Sequence, residues 1–192
     1  MNKKYKSLFL GFWDCLCRVL EWRPSEISDL NINYHEITIE EICEEHSTDV
    51  EKGLTTEQAA INQEKTGKNK FTYYFENRLQ DYTMCKRDGE FQHLLSKRLT
   101  AGDIISLKAP QVIPADIRII EASLDATVNK SSLTGESGPK KLSIEKTHDN
   151  PIETENVAVA STKLTKGTCI GIVVNVGQGT LGALNNKYRL YA

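Results

Sequence analysis

Between two short strand-like runs of this 192-residue chain lies Ser131-Ser-Leu-Thr134-Gly135-Glu136-Ser137-Gly-Pro139, a loop with hydroxyls, a glycine and one carboxylate in immediate succession. Hydroxyls donate and accept hydrogen bonds, and a placed carboxylate can take a proton. A Thr-Gly-Glu-Ser tetrapeptide on its own is nonetheless a surface turn in most proteins. Its meaning depends on its neighbours.

Three other patterns suggest chemistry that their context does not support. Ile172 to Val176 followed by Gly177-Gln-Gly179-Thr-Leu-Gly182 has the form of a dinucleotide-binding fingerprint. That chemistry needs a helix N-terminus facing a pyrophosphate and an acidic residue ~20 positions on. Ten residues follow Gly182, so these glycines are expected in a strand-end turn. Cys43-Glu-Glu-His46 supplies one half of a metal-like pair, but structural zinc takes four ligands, and a helix surface is expected instead. Asn129-Lys-Ser131 is a glycosylation acceptor by pattern and would matter only in the secretory lumen.

Composition narrows the classes. Lys and Arg total 24 against 26 Asp and Glu, so no global field recruits nucleic acid, and no nucleic-acid partner is expected. The five cysteines are odd in number and lack the spacing of a disulfide framework, which fits a reducing compartment. No stretch approaches the ~20 apolar residues of a spanning helix. Met1 to Trp22 come closest: Lys3, Lys4 and Lys6 precede Leu8-Phe-Leu-Gly-Phe-Trp13, but Asp14 and Arg18 interrupt the run. Two readings stand for this segment, an amphipathic membrane-surface or partner-binding element and a frayed extension.

The elements that must position the loop follow from local signals. Thr38-Ile-Glu-Glu41 is a capping box opening a short helix through Ile39, Ile42 and Cys43. Thr55-Thr-Glu-Gln58 opens a second helix, with Ala59, Ala60 and Ile61 expected in its buried stripe and Gly67 closing it. Glu36 to Asn69 thus read as a helical hairpin. From Tyr82 the texture changes to short β-branched runs between turn residues. Asp88-Gly89 predicts a hairpin between Tyr82 and Leu94, and further strands are predicted at 104–107, 116–120, 157–160 and 168–176. The fold class is α+β: a short N-terminal helical hairpin and a β-sandwich or jelly-roll-like unit.

The neighbours of the loop then give it a context. Upstream lie Ala101-Gly102-Asp103-Ile-Ile-Ser-Leu107 and Ile113-Pro114-Ala115-Asp116-Ile-Arg118-Ile-Ile120. Downstream come Asn150-Pro151-Ile-Glu153-Thr154-Glu-Asn156, Ser161-Thr162 and Gly167-Thr168-Cys-Ile-Gly171-Ile-Val173. In order and spacing this set resembles the actuator domain of P-type cation-pump α subunits of the sodium/potassium and proton/potassium branch. Glu51-Lys-Gly53-Leu54-Thr55, Ala59 and Gly67-Lys-Asn69 are similar to the N-terminal segment of the same pumps. The resemblance covers roughly Tyr34 to Gly182, and Asn150 to Asn156 is the stretch that points to this branch. It divides the chain into an N-terminal extension (1–33), a cation-ATPase helical segment (34–70), a connector (71–80), the actuator β domain (81–182) and a tail (183–192). Glu64-Lys65-Thr66-Gly67 echoes the family's Asp-Lys-Thr-Gly phosphorylation motif, with Glu in place of the acceptor Asp, and is expected to be a helix terminus.

The resemblance implies a chemistry. In such pumps an aspartate of a separate domain takes the γ-phosphate of ATP, and water later hydrolyses that acyl phosphate. The actuator loop swings in for the second step. By the resemblance, Gly135 lets backbone approach the phosphoryl group, Thr134 and Ser137 offer hydroxyls, and Glu136 orients and polarises the water as general base. The family's ATP and magnesium belong to other domains, and no cofactor or metal is expected in this chain. The expected partner is the phosphorylation domain of a pump α subunit, with membrane-surface contact through residues 1–22, at the cytoplasmic face of the plasma membrane or in the cytoplasm.

Several positions depart from the family pattern. Lys68 replaces a proline, Ala109-Pro110-Gln111-Val112 replaces a Gly-Gly-Asp-Arg-like turn, Asn129-Lys130 replaces Asp-Asn, and Gly138 replaces glutamate. The 192 residues contain no Asp-Lys-Thr-Gly-Thr acceptor and no nucleotide-binding segment. They are therefore expected neither to bind nor to hydrolyse ATP alone. The expectation is a truncated pump paralogue that keeps the dephosphorylation loop. The alternatives are a regulatory module that binds an intact pump or a membrane face, and a piece of a full transporter.

Overall fold

The computed structural model describes residues 33–70, 82–135 and 138–184. The readings made for residues 1–32, the connector and most of the tail lie outside them, as do Glu136 and Ser137.

Helix α1 (Ile39–His46) begins with both bonds of a capping box: the Glu41 N–H donates to Thr38 Oγ1 at 3.2 Å, and the Thr38 N–H donates to Glu41 Oε2 at 2.8 Å. Two of the N–H groups left over at the helix start are thereby satisfied. Helix α2 (Thr56–Thr66) is capped by Thr55, whose hydroxyl accepts from the Gln58 N–H at 3.1 Å. It ends at Gly67, so Glu64 to Gly67 form a helix terminus.

The buried face of α2 is not the expected one. Ala60 and Ile61 are exposed, and Ala59 and Asn62 point inward. Polar Asn62 takes the inner place because Nδ2 donates to the carbonyls of His46 and Ala101, at 2.8 and 3.0 Å. A buried amide satisfied in this way fastens α2 to the rest of the fold. Asn62→Ala leaves two buried carbonyls without their donor, and a loss of about 1–3 kcal/mol is expected. Urea unfolding with an unshifted midpoint would contradict that.

Ten strands follow. In chain order they are β1 (Tyr82–Arg87), β2 (Glu90–Leu95), β3 (Ile104–Lys108), β4 (Gln111–Val112), β5 (Asp116–Ala122), β6 (Thr127–Asn129), β7 (Pro139–Lys141), β8 (Val157–Ala158), β9 (Lys163–Lys166) and β10 (Thr168–Asn175). They build a six-stranded sheet of order β2-β1-β3-β10-β5-β8 and a four-stranded sheet of order β4-β9-β6-β7, with every ladder antiparallel. The β1–β2 turn has Asp88 at φ 52° and Gly89 at φ 85°, the paired left-handed residues of a tight hairpin turn. The Asp88 carboxylate accepts from the Thr56 hydroxyl at 2.6 Å, so the turn also seats the start of α2.

Strand alternation decides what packs where. Ile105, Leu107, Ile117, Ile119 and Val173 face the four-stranded sheet, where Val128 and Leu164 complete a buried core. Ile104, Ile172 and Val174 face the other way and receive Ile42 of α1, with Tyr34, Ile37 and Cys43 at the margin. The six-stranded sheet is therefore covered on one face by a second sheet and on the other by a helix.

Candidate functional site

The Thr134-Gly135 loop is an excursion between two paired strands. β6 and β7 face each other through Thr127–Lys141, Val128–Lys140 and Asn129–Pro139, so residues 130–138 leave and re-enter the four-stranded sheet at one point. Their first part is a single helical turn, α3 (Ser131–Thr134). The Ser131 N–H donates to Asn129 Oδ1 at 2.9 Å, and the Leu133 N–H donates to the Lys130 carbonyl at 2.8 Å. Thr134 is half-buried, with its hydroxyl donating to the Lys130 carbonyl at 3.4 Å.

Gly135 ends the turn at φ 75°, ψ −9°, donating its N–H to the Ser131 carbonyl at 3.0 Å. A Cβ there would meet nothing within 4 Å. Glycine is needed for the left-handed backbone and not for lack of room. Gly135→Ala is therefore expected to cost ~1–2 kcal/mol, and Gly135→Asn less, because Asn tolerates this conformation. Equal losses for the two variants in thermal unfolding would overturn this account.

The residue that holds the base of the loop is Lys130, fully buried at 1% exposure. Its ammonium donates to three backbone carbonyls, Ile152 at 3.0 Å, Thr154 at 2.6 Å and Val157 at 3.0 Å. Burial pushes its pKa down to about 8, while Glu155, Asp116 and Glu153 pull it up and Lys140 repels it. The three carbonyls also favour the charged amine. The carbonyls come from Asn150 to Asn156 and its neighbour Val157, a segment folded on itself by the Thr154 N–H donating to the Asn150 carbonyl at 3.1 Å. Asn156 ties the same segment to the N-terminal part, donating from Nδ2 to the His35 carbonyl at 3.0 Å. The stretch 150–157 thus serves as the seat of the loop's base.

The structure places Thr134 and Gly135 on one turn, whereas Glu136 and Ser137 fall outside the described residues. Lys130 enters the sequence reading only as a departure from the family pattern. A lysine between Asn and Ser reads as a solvated turn, and no local signal announces three carbonyls supplied from over twenty residues away.

The glycines after β10 sit in a 3-10 turn at Gly177–Gly179, as expected of a strand end, and residues 181–184 are helical. The Leu181 N–H at that helix start donates to buried Asp116 Oδ2 at 2.6 Å, and the Ala160 N–H donates to Oδ1 at 2.8 Å. A carboxylate of the chain itself occupies the place a pyrophosphate would need. Burial pushes Asp116 up to about 6, against the pull of these two donors.

An antiparallel double-layered β unit with a helical arm is consistent with the actuator fold that the sequence resemblance implies. The chain belongs to the P-type ATPase actuator-domain family, whose model matches residues 77–184, and the model for the cation transporter/ATPase N-terminus matches residues 34–73. Over 107 residues, 56% of this chain, it is 43% identical to the sodium/potassium-transporting ATPase subunit alpha-B of Artemia franciscana, covering 11% of that protein. Over the same length it is 43% identical to the sodium/potassium-transporting ATPase subunit alpha of Drosophila melanogaster, covering 10% of it. It is 41% identical to the potassium-transporting ATPase alpha chain 1 of Xenopus laevis, again covering 10%. The chain spans about a tenth of the length of these curated relatives. Among the described residues no helix is long and apolar enough to cross a membrane.

Proposed function

We propose that this chain presents Thr134-Gly135-Glu136-Ser137 to an aspartyl phosphate carried by the phosphorylation domain of a cation pump, and so serves the dephosphorylation step of ion transport. The observation that supports this most directly is the loop's mounting. It is held at its neck by β6–β7 pairing and by the Lys130 ammonium, while Gly135 stands exposed with open space around it. A neck fixed in this way lowers the ordering cost of presenting a short loop to a partner surface.

In the proposed step a water oxygen bonds to phosphorus, the acyl P–O bond breaks, and its electron pair returns to the partner's aspartate. Glu136 takes the proton that water loses. Gly135 keeps the backbone slim beside the phosphoryl oxygens, and Thr134 and Ser137 supply hydroxyls. Like-charge repulsion makes the approach of Glu136 productive only where the partner neutralises the phosphate. This reading puts the unit at the cytoplasmic face of a membrane, beside a pump of the sodium/potassium and potassium-transporting branch. It is tested by following phosphoenzyme decay in a pump that carries this unit, with and without Glu136.

A further inference from the structure

Beside α2, between it and the 3-10 turn Ser96–Arg98 that follows β2, lies a cavity of about 580 Å³, a volume typical of small-molecule sites. Among the described residues that line it, five are cationic, Lys68, Lys70, Arg87, Lys97 and Arg98, and none is acidic. Arg87 is neutralised by buried Asp103, to which it donates two bonds of 2.7 Å. Lys68, Lys70, Lys97 and Arg98 are exposed and form no ion pair among the described residues. Four positive charges around one cavity repel each other, and an anion that enters it lowers that repulsion.

The frame beneath these cations is rigid. Asn69, 1% exposed, donates from Nδ2 to the Ser96 carbonyl at 3.0 Å and to the Pro114 carbonyl at 2.9 Å, and accepts from the Gly177 N–H at 2.8 Å. Lys68 and Lys70 flank this pinned residue. Gly177, at φ 55°, lies so close that an added Cβ would stand 2.9 Å from the Lys68 carbonyl oxygen and 2.8 Å from that of Lys70. On the opposite wall Gln63 Nε2 donates to the Arg98 carbonyl at 3.3 Å, and Arg87 donates to the same oxygen at 3.4 Å. The short side chains of Ala59 and Ala60 leave the space between the walls open. Only the cationic tips remain to be ordered by a ligand.

We propose that this cavity binds a compact anion bearing two or more phosphates, of the phosphorylated-inositol type, either free or as a lipid headgroup. Clustered phosphates match several separated cations at once, through charge-assisted hydrogen bonds. The proposal uses none of residues 134–137 and stands independently of the dephosphorylation reading.

The test measures binding of the full chain to inositol hexakisphosphate by calorimetry, and to vesicles containing phosphatidylinositol bisphosphate by sedimentation. Vesicles of phosphatidylserine at equal charge are the lipid control. Lys97→Glu with Arg98→Glu is expected to weaken binding at least about tenfold. The same reversal at Lys163 and Lys166 of β9, which are exposed and outside the cavity, is expected to leave it within about twofold. Lys68→Gln with Lys70→Gln removes charge from the other wall and is expected to weaken binding too. Capture of the free compound supports a soluble ligand, and capture confined to the bisphosphate vesicles supports a headgroup. The proposal is overturned by equal binding of the wild-type chain and the Lys97/Arg98 variant, by binding in neither arm, or by tighter binding of a polyglutamate peptide than of the hexakisphosphate.

Discussion

In a pump whose own actuator unit is replaced by this chain's, Glu136→Ala is expected to slow loss of the phosphoenzyme by ~10²–10⁴-fold, the contribution of a placed general base. The structure says how the replacement should be made. Asn62 of α2 bonds to Ala101, Asn69 bonds to Ser96, Pro114 and Gly177, and Asn156 bonds to His35. The helical part and the β part share these buried bonds. Residues 34–70 and 82–182 should therefore travel together, joined by the host's own connection.

Formation of the phosphoenzyme uses groups outside this chain and should be unchanged by the substitution. That separates a lost base from a misfolded unit, which would slow both steps. Glu136→Gln keeps the volume and the hydrogen-bond acceptor but cannot take a proton, so it should decay nearly as slowly as Glu136→Ala. Equal decay in the unsubstituted and Glu136→Ala chimeras would show that the loop has no part in hydrolysis. Fast decay in the Gln variant would leave the loop a positioning role without proton transfer.

Whatever depends on neighbours within a few residues is legible in the chain. Thr38 and Glu41 make both bonds of their capping box, and Asp88-Gly89 turns the β1–β2 hairpin where the pattern places it. The six-stranded sheet is foreshadowed for a related reason: β3, β5 and β10 carry runs of Ile and Val long enough to show their period. The four-stranded sheet is not. Its strands have two to four residues each, and β7 and β9 are Pro-Lys-Lys and Lys-Leu-Thr-Lys, sequences that read as loop. Gln111–Val112, which reads as a turn, becomes β4 because Leu164 and Lys163 lie opposite. Ile61 is the natural choice for the inner face of α2, yet Asn62 takes it, because the carbonyls of His46 and Ala101 converge there. At the site, Thr134 and Gly135 are visible as a motif and Lys130 is not. The three acceptors that define Lys130 are contributed by backbone, which has no signature in side-chain types.

Substitution of Lys130 is expected to have a large effect on stability. Burying an ammonium costs several kcal/mol of hydration, and the three short bonds to Ile152, Thr154 and Val157 offset it. Lys130→Met removes the charge but leaves three buried carbonyls without a donor, each worth ~1–3 kcal/mol. Relief from desolvation recovers part of this, and a net loss of about 3 kcal/mol near neutral pH is expected. The pH dependence gives the cause away. The amine titrates at about 8 in the fold against the ordinary 10.5, so between these values the unfolded chain binds more protons, and the lysine's contribution grows as pH rises. It is smallest below pH 8 and complete above 10.5. The deficit of Lys130→Met should therefore widen by up to about 3 kcal/mol over that window, since each tenfold change in proton affinity is worth ~1.4 kcal/mol. Absolute stability will not show it cleanly, because the buried thiols of Cys85 and Cys169 are pushed up, the latter to about 12, and destabilise the fold above the ordinary thiol value of 9.0. Both proteins share those thiols, so the difference between their urea-unfolding free energies cancels them. A deficit that stays level from neutral pH to the ordinary lysine value of 10.5 would mean that Lys130 fills space and does not carry a titrating proton into the neck of the loop.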